Sequence, residues 1–305
     1  MVLLFALAGC MRVPEQIEPT VSASVQEHYL QALPSPFLPF LDEERLQSWA
    51  REMEIGHAFA RKLDLYQAIT AFKRAEILLP ETDLQRRLEV HYEILLCYYV
   101  ALKWDDVIDT FENSPLKTAD MTFPALHDML LVLYDTYIHV DDEKNAHRML
   151  QLIYAYFPDE AQKLYLSKAL LQADMPIVQT AAKETPELGA FLERYDAQKK
   201  SIGTAQALNA ALPGAGYFYI GQKQSGITAL LLNSLFIGAS VYFFEAGNIP
   251  AGIIFTSFEA GWYFGGIYGA GLEAKYYNER LYESLAAPMM HQERLFPILR
   301  LNYAF

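Results

Sequence analysis

The chain has 305 residues, 37 acidic and 24 basic side chains, a net charge of −13 and two cysteines. A surface this acidic cannot neutralise phosphates, which excludes nucleic acid as a partner class, and two cysteines cannot form a disulfide framework in a chain of this length. The charge is uneven. The first 200 residues carry −12, whereas the remainder holds six acids against five bases and is strongly apolar, so two kinds of material, and on length two domains, are joined here.

The N-terminal run MVLLFALAGC closes on Leu7-Ala8-Gly9-Cys10. This resembles the bacterial lipobox, an apolar residue and two small ones before a cysteine. The resemblance makes residues 1–10 a lipoprotein signal with its lipobox and Cys10 the lipidated residue. Secretory signals open on positive charge, yet none precedes Arg12, so the true start is expected upstream. Residues 11–42 contain Pro14, Pro19, Pro34, Pro36 and Pro39, too many for a continuous helix. They are expected to form a tether.

From residue 43 the apolar residues recur three and four apart, predicting helices. Residues 49–82 place Gly56 and Phe59, then Tyr66, Ala68, Phe72, Ala75 and Pro80, at offsets that resemble the tetratricopeptide repeat. The early tryptophan of that pattern is absent, with Glu52 in its place. A second copy covers about 88–121 (Leu95, Tyr98, Trp104, Val107, Phe111, Ser114). A third covers about 127–160 (Leu133, Tyr134, Tyr137, Ala146, Leu150, Ile153, Pro158), and a weaker or capping pair reaches residue 200. The resemblance implies a solenoid over 43–200, each helix pair burying its stripe against the next, with a groove for a protein or peptide partner. Glu52, His91, Glu93 and Asp135 are expected among its groove-facing polar residues. Cys97, inside EILLCYYV, is expected to be a buried apolar residue.

Motifs for chemistry are missing. HVDDEKNAH (139–147) spans an inter-helix turn and does not align ligands on one face. PGAGYFYIG lacks the spacing and the preceding strand of a dinucleotide loop. No GxSxG, HExxH or CxxC occurs, so no enzyme, metal or cofactor is expected.

Ile227–Phe244 has eighteen residues without a charge, about 27 Å as a helix and close to a bilayer core. Residues 250–272 form a second apolar stretch, interrupted by Glu259. With EAGNI between them, they predict a transmembrane helical hairpin inside a domain at 201–276. Ser257, Gly261, Gly265 and Gly269 lie four apart on one face, a small-residue seam with Ser234 and Gly238 as its expected counterpart. Glu259 is an ionisable group at membrane depth. It is expected to pair with Asn233 or a partner helix, or to line an ion path. Ahead of the hairpin, Pro213, Gly214, Gly216, Tyr219, Gly221 and Gly226 resemble a Pro-Gly-x-Gly two-helix domain of bacterial membrane proteins. Its glycines imply a tight interfacial turn.

Residues 277–305 are expected to be a tail. Its end, LFPILRLNYAF, resembles the closing strand of outer-membrane barrels. No further strands are available to complete a barrel, so an edge strand or ordered tail is expected. Lys199, Lys200, Lys223, Lys275 and Arg280 flank the hairpin, which by the positive-inside rule puts the repeats in the cytoplasm. The lipobox puts them in the periplasm. A five-residue loop gives the charge rule little to count, so the periplasmic address is preferred.

The reading is thus an all-α chain: a tetratricopeptide-like helical solenoid followed by a transmembrane helical hairpin. The expected role is a non-enzymatic, lipid-anchored scaffold of the bacterial envelope, binding an envelope protein or peptide and docking on an integral membrane complex, including in outer-membrane protein assembly. The alternative is an accessory subunit of a transporter or channel, acting through Glu259.

Overall fold

The computed structural model describes residues 12–21 and 27–305. Cys10 and the rest of the lipobox lie outside the described residues. Among those described, all regular structure is helical and no strand occurs. The chain divides into two compact units. One is Ala23–Lys168 with Met290–Phe305; the other is Ala169–Met289 with the described residues before Ser22.

The first unit, called the repeat unit after the repeats expected from its sequence, begins with α1 (Glu27–Gln31), α2 (Asp42–Arg45), α3 (Ser48–Ala60), α4 (Leu65–Leu78), α5 (Leu84–Val100) and α6 (Trp104–Glu112). A 3₁₀ turn at Pro115–Thr118 leads to α7 (Leu126–His139), α8 (Glu143–Tyr156) and α9 (Pro158–Leu171) as far as Lys168, its last turn belonging to the other unit. From α3 to α8, each helix packs on the next in the chain. Two local devices set this rhythm. At the turns, Leu63, Leu102 and Asp141 take left-handed backbone (φ 58°, 58° and 57°). Asp64 and Asp142, just after two of them, accept the backbone N–H of Gln67 and Asn145, which caps the new helix. The second device is Gly56, where a Cβ would stand 2.6 Å from Phe72 Cδ1. The missing side chain lets α3 and α4 approach while Phe72 fills the space between them.

The predicted tether does not hang free. Its prolines do break the helix, but Leu30 is buried and Phe37 packs its ring 5.8 Å from those of Tyr92 and Phe123. Earlier in the same stretch, residues 12–21 belong to the other unit. There, Glu279 and Glu283 accept the backbone N–H groups of Glu18 and Thr20 at 2.9 and 2.6 Å. A stretch rich in proline is non-helical, but its aromatic and aliphatic side chains still gain by burial.

Of the two forms expected for the end of the tail, an edge strand or an ordered tail, the structure has the second. The final helix runs unbroken through residue 276 to Gln292. Beyond it come a 3₁₀ turn (Pro297–Arg300) and a non-helical end. Leu295, Phe296, Ile298, Leu299, Leu301, Ala304 and Phe305 are all buried in the repeat unit.

The second unit, here the apolar unit, holds α10 (Met175–Ala181), α11 (Pro186–Gln198), α12 (Ile202–Ala211), α13 (Ala215–Tyr219), α14 (Lys223–Glu245) and α15 (Ile249–Gln292) as far as Met289. Val13, Ile202, Ala205, Ile220 and Ala274 form one core cluster, with Tyr217, Tyr219 and Leu272 against it. Phe191 and Tyr195 set their rings edge-on to Tyr282, whose hydroxyl donates to the Leu170 carbonyl at 2.8 Å.

Helix α14 is long and apolar enough to cross a membrane, and only 11% of its most apolar window is buried. A soluble core helix of this composition would be mostly covered. The second expected span, 250–272, is helical within α15 but does not meet the same test. Glycines, Tyr263, Trp262 and Glu259 dilute its apolarity. The two helices nevertheless touch: Phe243 stacks on Phe255 at 5.2 Å, and Phe236 lies 6.3 and 6.4 Å from Phe255 and Phe258.

Candidate functional site

The repeat unit holds a chain of charged and aromatic side chains across α2, α3 and α5. Arg86 on α5 forks onto Glu44 (3.0 and 2.8 Å) and donates to Glu89 at 2.6 Å and to the Leu38 carbonyl at 3.1 Å. Phe40 lies over the guanidinium, 4.7 Å away. One turn on, the fully buried Glu93 stands 3.4 Å from His57 Nε2. Burial pushes the Glu89 carboxyl up to about 7 despite Arg86 beside it. For His57, burial pulls downward, but the carboxylates of Glu93 and Glu89 outweigh it and the net shift is upward.

Of the four expected groove residues, three are interior. Glu93 is completely enclosed. His91 is buried, 3.7 Å from Glu76, and burial lowers its proton affinity. Asp135 accepts the Tyr99 hydroxyl at 2.7 Å, and burial raises its carboxyl. Only Glu52 reaches partial exposure, paired with Arg74 at 2.6 Å. The three interior side chains lie where helix meets helix and offer no free polar surface to a partner.

What occupies the neighbouring space is the chain itself. Asp128, at the start of α7 and fully buried, accepts the backbone N–H groups of both Asn302 and Tyr303 on one oxygen, at 2.9 and 2.8 Å. Ala304 N–H donates to the Pro34 carbonyl at 3.0 Å. Arg61 Nε, at the end of α3, donates to the Phe305 carbonyl at 3.1 Å. The Tyr29 hydroxyl, with one proton to share, lies 2.9 Å from the carbonyl oxygens of both Leu299 and Leu301, and Arg300 pairs with Glu160. Sequence reasoning missed Asp128, Arg61 and Tyr29. The one available signal was the apolar alternation of the tail, which announces a buried extended segment without saying where it is buried.

The chain matches no protein-family profile, no curated protein and no solved structure.

In the apolar unit, the Pro-Gly-x-Gly turn does what its residues demand. Gly214 (φ 93°) and Gly221 (φ 88°) take left-handed backbone, which favours glycine. A Cβ on Gly214 would strike the Gly226 carbonyl, and one on Gly216 would strike the Ala205 carbonyl and stand 2.8 Å from Ala270 Cβ. Asn209 Oδ1 accepts the Gly214 N–H at 2.9 Å, and Tyr219 Oη accepts that of Ser201 at 3.1 Å. Pro213 stands half-buried just before the turn.

The small-residue seam is not packed as expected. Added Cβ atoms on Gly238, Gly261 and Gly265 would meet nothing within 4 Å, and Ser234 and Ser257 are exposed, each returning its hydroxyl to its own helix at 2.7 and 2.8 Å. The four-residue spacing defines a face that is open at Gly261 and Gly265 but packed at Gly269, where a Cβ would stand 2.5 Å from Tyr217 Oη. Gly261, Gly265 and Gly269 line an open cleft of about 630 Å³ with Asn233, Thr228 and Trp262. Asn233 donates to the Ala229 carbonyl at 2.6 Å and leaves Oδ1 buried without a partner; Glu259 Oε2 is also buried without one. The expected Asn233–Glu259 pair is therefore not made. Among the described residues, no His, Cys, Asp and Glu group is arranged to hold a metal ion.

Proposed function

We propose that this protein is a non-enzymatic, membrane-anchored adaptor of the bacterial envelope, needing no cofactor. A tetratricopeptide-type repeat unit binds a protein partner, and α14 with the first half of α15 forms a two-helix membrane hairpin. A lipid on Cys10 adds a second anchor, and the repeats face the periplasm. Gly261 and Gly265 of α15, against which nothing packs, are free to meet an integral membrane complex, since small residues let a foreign helix approach closely.

The observation that carries the reading is a matter of parity. Residues 295–305 are buried in the same compact unit as residues 29–168, so both stretches lie on one side of any membrane. The chain between them must cross an even number of times. If the exposed apolar helix α14 crosses, α15 has to return. Its first 24 residues rise about 36 Å, enough for a bilayer core of about 30 Å. The lipobox fits the same scheme: Val13, three residues beyond Cys10, packs with Ala274, just past the apolar stretch of α15.

The test is labelling of single cysteines, in a Cys10-retaining chain, by a membrane-impermeant maleimide on intact spheroplasts. Expected is labelling of Asn302→Cys and Leu38→Cys from outside and of Gly247→Cys only after lysis. All three labelling from the same side would mean that no hairpin crosses. A second reading, a subunit of a transporter or channel, is favoured by the unpartnered Glu259 carboxyl on an apolar helix. It is addressed by the Glu259→Gln substitution below.

A further inference from the structure

We propose that the cradle around Leu301–Phe305 is the partner-reading site of the repeat unit, that the chain's own tail is its resident ligand, and that a partner binds by supplying an extended segment of the same chemistry in exchange. The inference rests on the adaptor reading and gives it a ligand class: a non-helical, neutral or basic segment with apolar and aromatic side chains and two successive free backbone N–H groups.

Three observations lead there. First, the tail is held mainly through its backbone. Asp128 takes two amide hydrogens, Pro34 a third, and Arg61 donates to the Phe305 carbonyl. Backbone recognition tolerates many side chains, and pockets for alternate residues then add selectivity. Here the selective part falls to the buried side chains of Leu301, Ala304 and Phe305, 2%, 1% and 4% exposed.

Second, the cradle demands a ligand. Asp128 is fully enclosed, and without the tail one of its oxygens would lose both of its amide donors. A buried carboxylate without donors is costly, so the cradle is stable when some chain segment, in cis or in trans, supplies them. Glu160, beside His127 and Arg300, adds negative charge nearby, which disfavours an acidic segment.

Third, the tail can leave in part. Tyr29 and the Arg300–Glu160 pair hold residues 299–301, so that the four residues beyond Leu301 can leave while its carbonyl stays anchored. Beside Tyr303 and Asn302 an open cavity of about 650 Å³ is lined by Phe123, Leu126, Phe157 and Pro158. An incoming apolar segment has a place to land before the tail is displaced. Self-occupancy lowers the apparent affinity for any competitor by the fraction of time the cradle is open.

The test uses the full chain in detergent and a fluorescein-labelled peptide of residues 299–305, LRLNYAF, read by anisotropy. A chain with its tail weakened by Leu301→Ser and Phe305→Ser is expected to bind the peptide saturably and at least tenfold more tightly than the unaltered chain. Asp128→Asn in that background is expected to weaken binding by tenfold or more, which separates the cradle from peptide uptake by micelles. A weakened-tail chain with an unchanged circular-dichroism spectrum and no saturable binding overturns the proposal, as does binding indifferent to Asp128→Asn. Should the weakened tail unfold the unit, hydrogen exchange on the unaltered chain decides. Excess peptide is expected to speed exchange at the Asn302 and Tyr303 amides several-fold, and unchanged exchange refutes the exchange mechanism. The two readings fail separately. A cradle that takes the peptide while in-cell crosslinking finds no partner on the repeats sinks the adaptor alone. A crosslinked partner together with a peptide-blind cradle sinks this inference alone.

Discussion

Glu89→Gln is expected to stabilise the repeat unit, by an amount that depends on pH. Glu89 is 2% exposed, and its carboxyl is raised to about 7 from an ordinary value of 4.5. The folded chain therefore holds a proton that the unfolded chain releases between those values. Fewer protons bound in the unfolded state means that stability falls as pH rises through that window. A shift of about 2.5 units corresponds to roughly 3 kcal/mol, fully lost above pH 7. Glutamine keeps the shape and an acceptor for Arg86, which retains its fork on Glu44, but has no charge to desolvate. Denaturant titrations of the unaltered and Glu89→Gln chains in detergent, followed by near-ultraviolet circular dichroism at half-unit pH steps, measure the difference. It should be close to zero at pH 4, grow by about 1.4 kcal/mol per unit and level off near 3 kcal/mol above pH 7. A difference that is flat with pH, or that favours the unaltered chain at pH 8, would refute the assignment of burial as the dominant influence on Glu89.

Gly56→Ala drives a methyl into the Phe72 ring; overpacking of roughly 1–3 kcal/mol should exceed the helix-propensity gain of about 1 kcal/mol, lowering Tm by a few degrees, with Phe72→Leu in the same chain restoring it. Cys97 is buried, and its thiol is pushed up by burial, so in a Cys10→Ala chain a thiol reagent at pH 8 should modify nothing until denaturant is added. Intact-mass analysis of membrane-extracted protein, expressed from an extended start, should show loss of residues 1–9 and a lipid-sized gain, both abolished by Cys10→Ala; an unmodified N-terminus would remove the second anchor. Glu259→Gln should leave labelling topology and partner crosslinking unchanged, whereas loss of an ion flux in reconstituted vesicles with assembly intact would favour the transporter reading.

Some of this was written locally enough to be read from sequence. The helix pairs between residues 48 and 156 follow an apolar rhythm that any short window displays. The Pro213-Gly214-x-Gly216 turn is legible because a φ of 93° and a helix contact without room for a methyl both call for glycine. What was illegible depends on distant partners. Prolines at 34, 36 and 39 say that a segment is not helical, but not that Phe37 will sit between Tyr92 and Phe123. Glu93 and Asp135 look like surface carboxylates until His57 and Tyr99 are found across from them. Spacing puts Gly261 and Gly265 on one face of α15, but it does not say whether that face turns toward α14 or away. The contact of Tyr29 with Leu299 and Leu301 joins residues about 270 positions apart, beyond any periodicity.

That last contact also sets a schedule. Residues 29–168 emerge from the ribosome early, yet the side chains that complete their core, from Leu295 to Phe305, are made only after more than a hundred further residues, α14 among them. At ~5–20 residues per second the delay is on the order of ten seconds. Throughout it, the nascent repeat unit waits with Asp128 unanswered and an apolar seat vacant. Closing that seat is therefore left to the last residues to be made, whose backbone answers Asp128.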